Sequence, residues 1–137
     1  MTTQDTYHQI LQQAEQLALA TLTADGKPSV RMVNFLFDPS SNTVYVCTDR
    51  HAQKVQELAT HPTVAFTTTP TAVGTVRVKT ATATLVNDRK PALLAAMDKK
   101  YASFKMFDQA ARDNMFAYAL TYPEADVFFR GNTTLTF

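Results

Sequence analysis

Thr43–Leu58, TVYVCTDRHAQKVQEL, changes its hydrophobic period midway, and that change decides the fold. Val44 and Val46 alternate with Tyr45 and Cys47, the pattern of a half-buried strand rich in β-formers. Thr48, Asp49, Arg50 and His51 break it with a polar turn. From Ala52 onward, Val55, Leu58 and Ala59 fall on one face of a helix. A strand that feeds a helix through such a turn leaves free N–H groups and a positive dipole end at the helix start. Lys54 lies in that first turn, where a cation is unfavourable unless an anion joins it, so it is a candidate phosphate contact. A surface lysine is more often merely solvated, and Lys54 alone carries little weight.

Working outward, Thr6–Leu19 reads as an amphipathic helix with Ile10, Leu11 and Ala14 inward, capped by Asp5 or Thr6. Leu17–Leu22 runs on into a strand. Asp25-Gly26 is the sharpest hairpin signal. Ser29–Phe37, SVRMVNFLF, is apolar on both faces apart from Arg31 and Asn34, which predicts one central, buried strand. His61-Pro62 ends the helix after Lys54. Thr63–Thr69 and Thr75–Val86 read as strands, the latter an outer one with apolar and threonine residues on both faces. A helix follows from Asn87 or Asp88 to about Tyr101, then a weaker helical segment over Phe104–Asn114. Phe116–Thr121 and Ala125–Phe129 read as an antiparallel pair about Tyr122-Pro123-Glu124, and Thr133–Phe137 as a last strand. The expected fold is mainly β with flanking helices, an antiparallel barrel of six or seven strands in a single domain over residues 1–137.

Composition narrows the function. A chain of 137 residues suits one domain that buries roughly two thirds of its unfolded surface. The net charge of +1 offers no general attraction to nucleic acid or to an anionic membrane. No apolar run approaches a bilayer span, and the polar start MTTQDTYHQ does not read as a signal peptide. Cys47 is the one cysteine, which suits a reducing cytoplasm and reads as a small core residue. His8, His51 and His61 are scattered without ligand spacing, so no metal site is expected. No catalytic triad or paired-carboxylate pattern is legible, and the catalytic residues are left unassigned.

Arg31 on its apolar strand needs an anionic partner. Two readings stand equal: a phosphate gathered by Arg31, Thr48 and Lys54, or a salt bridge to a local acid such as Asp25 or Asp38. The cluster Met106, Phe107, Met115 and Phe116 could cover a flat ligand, although methionine and aromatic clusters are more often core.

GKPSVRMVNF, then VYVCTDRHAQKVQEL, then HPTVAFT together resemble the pyridoxamine 5'-phosphate oxidase-like family of FMN-binding split β-barrels. The resemblance is good over Leu19–Val86 and loose elsewhere. It implies a flavoprotein, an oxidoreductase acting on a small molecule, and a homodimer with FMN at the interface. It further implies that Arg31, Met32, Val33, Asn34, Cys47, Thr48, Gln53 and Lys54 contact the cofactor, with Lys54 on its phosphate. Ala52-Gln53-Lys54 stands where many relatives carry Ser-Arg-Lys, and Thr80 precedes Ala81 where a glycine is common. The chain has no tryptophan and ends VFFRGNTTLTF, unlike the biosynthetic oxidase, which it is therefore not expected to be. The alternatives are a flavin-binding sensor or carrier without turnover, or a relative that binds haem or a deazaflavin.

Overall fold

The computed structural model describes residues 1–137. Helix α1 (Thr3–Gln13) starts earlier than expected and stops well before Leu19. Its start is a capping box: Thr2 Oγ1 accepts from the Asp5 N–H at 3.0 Å, and the Thr2 N–H donates to Asp5 at 2.9 Å. After it come β1 (Leu17–Leu22) and β2 (Pro28–Val33), paired about the Asp25-Gly26 turn, where Gly26 has φ +80°.

The predicted strand Ser29–Phe37 is in fact two. β2 ends at Val33, and β3 covers only Leu36–Asp38. Between them the backbone leaves the ladder, because the Phe35 N–H donates to the Tyr101 hydroxyl at 3.0 Å. Nor is β2 central and buried: it lies at a sheet edge, with Val30 68% and Met32 49% exposed. Its apolar outward residues, Val30 and Met32, lie on an exposed face.

β4 (Thr43–Asp49) and α2 (Gln53–Thr60) form the strand–turn–helix expected from Thr43–Leu58. β5 (Thr63–Thr68) and β6 (Thr75–Leu85) follow. β6 is the middle of the sheet rather than an outer strand, since it pairs with β5, with β7 (Met115–Thr121) and with β8 (Glu124–Phe128). Its buried residues switch phase from Val76 and Val78 to Ala81 and Ala83, at a register shift opposite Val64 and Phe66. That bulge bends the sheet. β7 and β8 do not form the expected pair. They lie end to end along β6, on residues 82–85 and 75–77, and β8 pairs instead with β9 (Asn132–Thr136). A strand of 11 residues is long enough to take both in tandem.

The sheet has nine strands, all antiparallel, in the order β2-β1-β5-β6-β7-β4-β3 with β8 and β9 branching from β6. β2 and β3 stand at its two ends yet are joined by Asn34-Phe35 alone, so the sheet curls into a split β-barrel. Tyr7, Ile10 and Leu11 of α1, with Ala14 just beyond its end, plug the interior together with Leu17, Leu19, Val44, Val46 and Val78. Outside the barrel, α3 (Lys90–Lys100) packs Leu93 on Tyr45, Ala117 and Ala119. The predicted helix over Phe104–Asn114 is a 3-10 turn, Ala102–Met106, and a short α4, Gln109–Asp113. No helix is long and apolar enough to cross a membrane.

Candidate functional site

The ends of β2 and β4 and the start of α2 meet at one mouth of the barrel, under the segment that follows α3. They enclose a cleft of about 250 Å³. Met32, Val33, Asn34, Cys47, Thr48 and Lys54, six of the eight residues expected at the cofactor, line it together. The far wall is Met97, Phe104, Phe107, Ala111 and Met115, with Asp49 at the rim. Of the Met/Phe cluster, only Phe107 and Met115 reach the cleft. Met106 is 78% exposed, and Phe116 lies beneath the Arg50 guanidinium, 5.4 Å from its ring centre.

Lys54 is half-buried, and no carboxylate stands within ion-pair distance of it. Burial first, and the neighbouring Arg31 charge second, hold its pKa below the ordinary lysine value. The helix it opens is uncapped: Ala52 makes no side-chain cap bond, and the first turn carries no acid. The Val55 N–H donates to the Ala52 carbonyl at 3.0 Å, and the N–H groups of Gln53 and Lys54 have no acceptor within the helix. A half-buried cation beside free N–H donors is a setting that lacks an anion, and a phosphate monoester supplies one.

Arg31 and Gln53 take a different part. Arg31 faces inward across from Leu19 and pairs with Glu57 of α2, Nη2 to Oε1 at 2.9 Å. It also donates to Thr21 Oγ1 at 2.7 Å, Ser29 Oγ at 3.1 Å and the Leu19 carbonyl at 3.2 Å. The acid that meets it is thus Glu57, not Asp25 or Asp38. Glu57 is 4% exposed and accepts from Thr21 Oγ1 at 2.7 Å and Gln53 Nε2 at 3.1 Å. The Thr21 bond above all, then those of Gln53 and Arg31, lowers its pKa. Glu57 escaped the sequence reading, although it is the sole acid on α2. An unpaired arginine on an apolar strand was the signal that should have found it.

Cys47 lies in the cleft with its thiol pushed up to about 11 by burial, so it is neutral at pH 7 and serves as wall. No histidine lines the cleft.

Solved structures with this architecture include general stress protein 26 from Bacillus anthracis, 18% identical over the whole of both chains with a TM-score of 0.77. A heme-binding protein from Mycobacterium smegmatis is 19% identical with a TM-score of 0.78, over 99% of this chain and 58% of that one. A nimC/nimA family protein from Clostridium acetobutylicum is 16% identical with a TM-score of 0.72, over 100% of this chain and 95% of that one. At these identities the likeness establishes the fold. Among curated proteins no significant sequence match is found. The sequence profile of pyridoxamine 5'-phosphate oxidase matches residues 3–124, most of the length. On that match and this barrel, the chain belongs to the pyridoxamine 5'-phosphate oxidase family.

Proposed function

We propose that the chain binds FMN in this cleft and works as a flavin-dependent oxidoreductase on a small molecule. The observation that carries the reading is Lys54, a half-buried cation without a carboxylate partner at an uncapped helix start. Lys54 and the first N–H groups of α2 would hold the phosphate, Thr48 would support them, and Met32, Val33, Asn34 and Cys47 would border the ring. Arg31 and Gln53 would act through Glu57, which ties β2 to α2 and so sets where Lys54 stands. Bound FMN supplies the hydride chemistry; the chain's part is to orient it and to keep water from one side with Phe104, Phe107 and Met115. A structural neighbour is a heme-binding protein. Here the cleft has no histidine to serve as axial ligand and its thiol is held protonated, which favours a flavin.

Adding the protein at micromolar concentration to FMN should change the flavin fluorescence and reach saturation. A flat titration would overturn the reading.

The reading includes a homodimer. Val30 and Met32 project from the outer face of β2 beside Ala18 and Ala20 of β1, and Ala65 of β5 extends the same shallow apolar groove. Water would cover this face in a lone chain, and a second copy offers apolar surface of the same kind. The cleft opens beside it, because Met32, which lines the cleft, is paired across from Ala18 of the groove. Light scattering with FMN present should return twice the 15.2 kDa of one chain. A mass near that of one chain across a wide concentration range would rule the dimer out.

A further inference from the structure

A second and larger cavity, about 590 Å³, lies between the end of α1 and the end of α3. Most of its lining is polar: Gln12, Gln13 and Gln16 on one side, Lys100 and Ser103 on the other. Asn34 lines this cavity and the cofactor cleft alike, so the two adjoin at this residue. Gln16 Nε2 donates to Asn34 Oδ1 at 2.9 Å, which leaves the Asn34 amide N–H groups uncommitted.

Lys100, like Lys54 and Lys90, is a half-buried cation without a carboxylate partner. Its ammonium donates to the Phe35 carbonyl at 2.8 Å and stands 3.7 Å from the centre of the Phe35 ring. Those contacts fix the ammonium but use only one of its three N–H donors. Burial takes its pKa down to about 8, so holding a cation there works against the fold. Tyr101 makes the wall rigid, accepting from the Phe35 N–H at 3.0 Å and donating to the Glu15 carbonyl at 2.6 Å. The Glu15 side chain is the one acid that lines the cavity, and it is exposed.

We infer that this cavity binds the carboxylate of a small organic acid on Lys100, with the rest of the molecule directed past Asn34 toward the cofactor cleft. The chemistry selects the charge. One ammonium among neutral amides matches a monoanion; unlike Lys54, Lys100 has no α-helix start beside it to add backbone N–H donors for a phosphate dianion, and Glu15 stands nearby instead. The site thus deepens the oxidoreductase reading by naming its substrate class as acids, and in that respect it rests on that reading.

Benzoate, benzyl alcohol and phenyl phosphate, titrated calorimetrically into flavin-free and FMN-loaded protein, test this. Benzoate should bind both forms and should shift the flavin absorbance of the loaded one. Lys100→Met should weaken benzoate at least tenfold with FMN affinity unchanged, and Lys100→Arg should retain it. If Lys100→Met does not fold, Lys100→Gln takes its place. No benzoate binding by the wild type, equal binding by the Met or Gln variant, or equal binding of benzyl alcohol would overturn the site. Tighter binding of phenyl phosphate would overturn the carboxylate class, and binding without a flavin shift would overturn the link to the cleft. Benzoate bound in the absence of any FMN affinity would sink the cofactor reading and leave the acid site standing.

Discussion

Lys54→Ala should weaken FMN by about ten- to a hundredfold while riboflavin, which lacks the phosphate, binds almost as before. A charge-assisted hydrogen bond in a partly dry site contributes roughly 1.5–3 kcal/mol, and about 1.4 kcal/mol is one decade of affinity. The loss should fall on Lys54 because the other cation nearby is already engaged. Arg31 places both of its terminal nitrogens on Glu57, Thr21, Ser29 and the Leu19 carbonyl. With Ala52 and Gln53 in the first turn, neither a hydroxyl nor a second cation helps, and Gln53 turns to Glu57. Added salt should weaken FMN more than riboflavin for the same reason. Wild type and variant are titrated with both ligands side by side. If both ligands lost affinity equally, Lys54 would act on the fold and the phosphate assignment would be wrong.

Local pattern made some of this legible and hid the rest. The strand–turn–helix around Lys54 could be read because its period changes from two to 3.6 within one short stretch. Six expected site residues meet at one cleft because they sit at the ends of consecutive elements that the barrel gathers at one mouth. Other features depend on partners far away in the chain. The break at Asn34-Phe35 is caused by Tyr101, and no window around Ser29–Phe37 contains it. Likewise, whether β7 and β8 pair with each other or share β6 depends on the length of β6, not on the Tyr122-Pro123 turn. Met97 and Phe104 reached the cleft wall unnoticed, since a buried methionine or phenylalanine on an outer helical segment looks like any other core residue. Arg31 needs an anion, as its apolar strand implies, and it has one, but the anion comes from α2, 26 positions along the chain.

That ion pair carries the largest expected effect on stability. Glu57→Ala should destabilise the fold by about 2–4 kcal/mol, because it leaves Arg31 partly buried against Thr21 and Ser29 with no countercharge. The figure lies somewhat below that for a fully dry pair, since the Arg31 side chain keeps 24% of its exposure. Replacing both partners together, Arg31→Met with Glu57→Leu, should recover much of the loss, because the cost lies in the orphaned charge rather than in the missing attraction. Acid acts on the same contact. The folded state lowers the Glu57 pKa from its reference of 4.5, so between the folded and unfolded values the unfolded chain binds more protons. The stabilisation is therefore complete above about pH 4.5 and is lost as pH falls through the lower, folded value. Urea unfolding from pH 7 down to pH 3 should show the gap between wild type and Glu57→Gln narrowing over that window, with other carboxylates cancelling in the difference. A Glu57→Ala cost below about 1 kcal/mol at pH 7 would mean that water already screens the pair. Glu57 would then no longer explain how β2 and α2 are held in register, and the position of Lys54 would have to rest on the packing of Val55 and Leu58 against the barrel core alone.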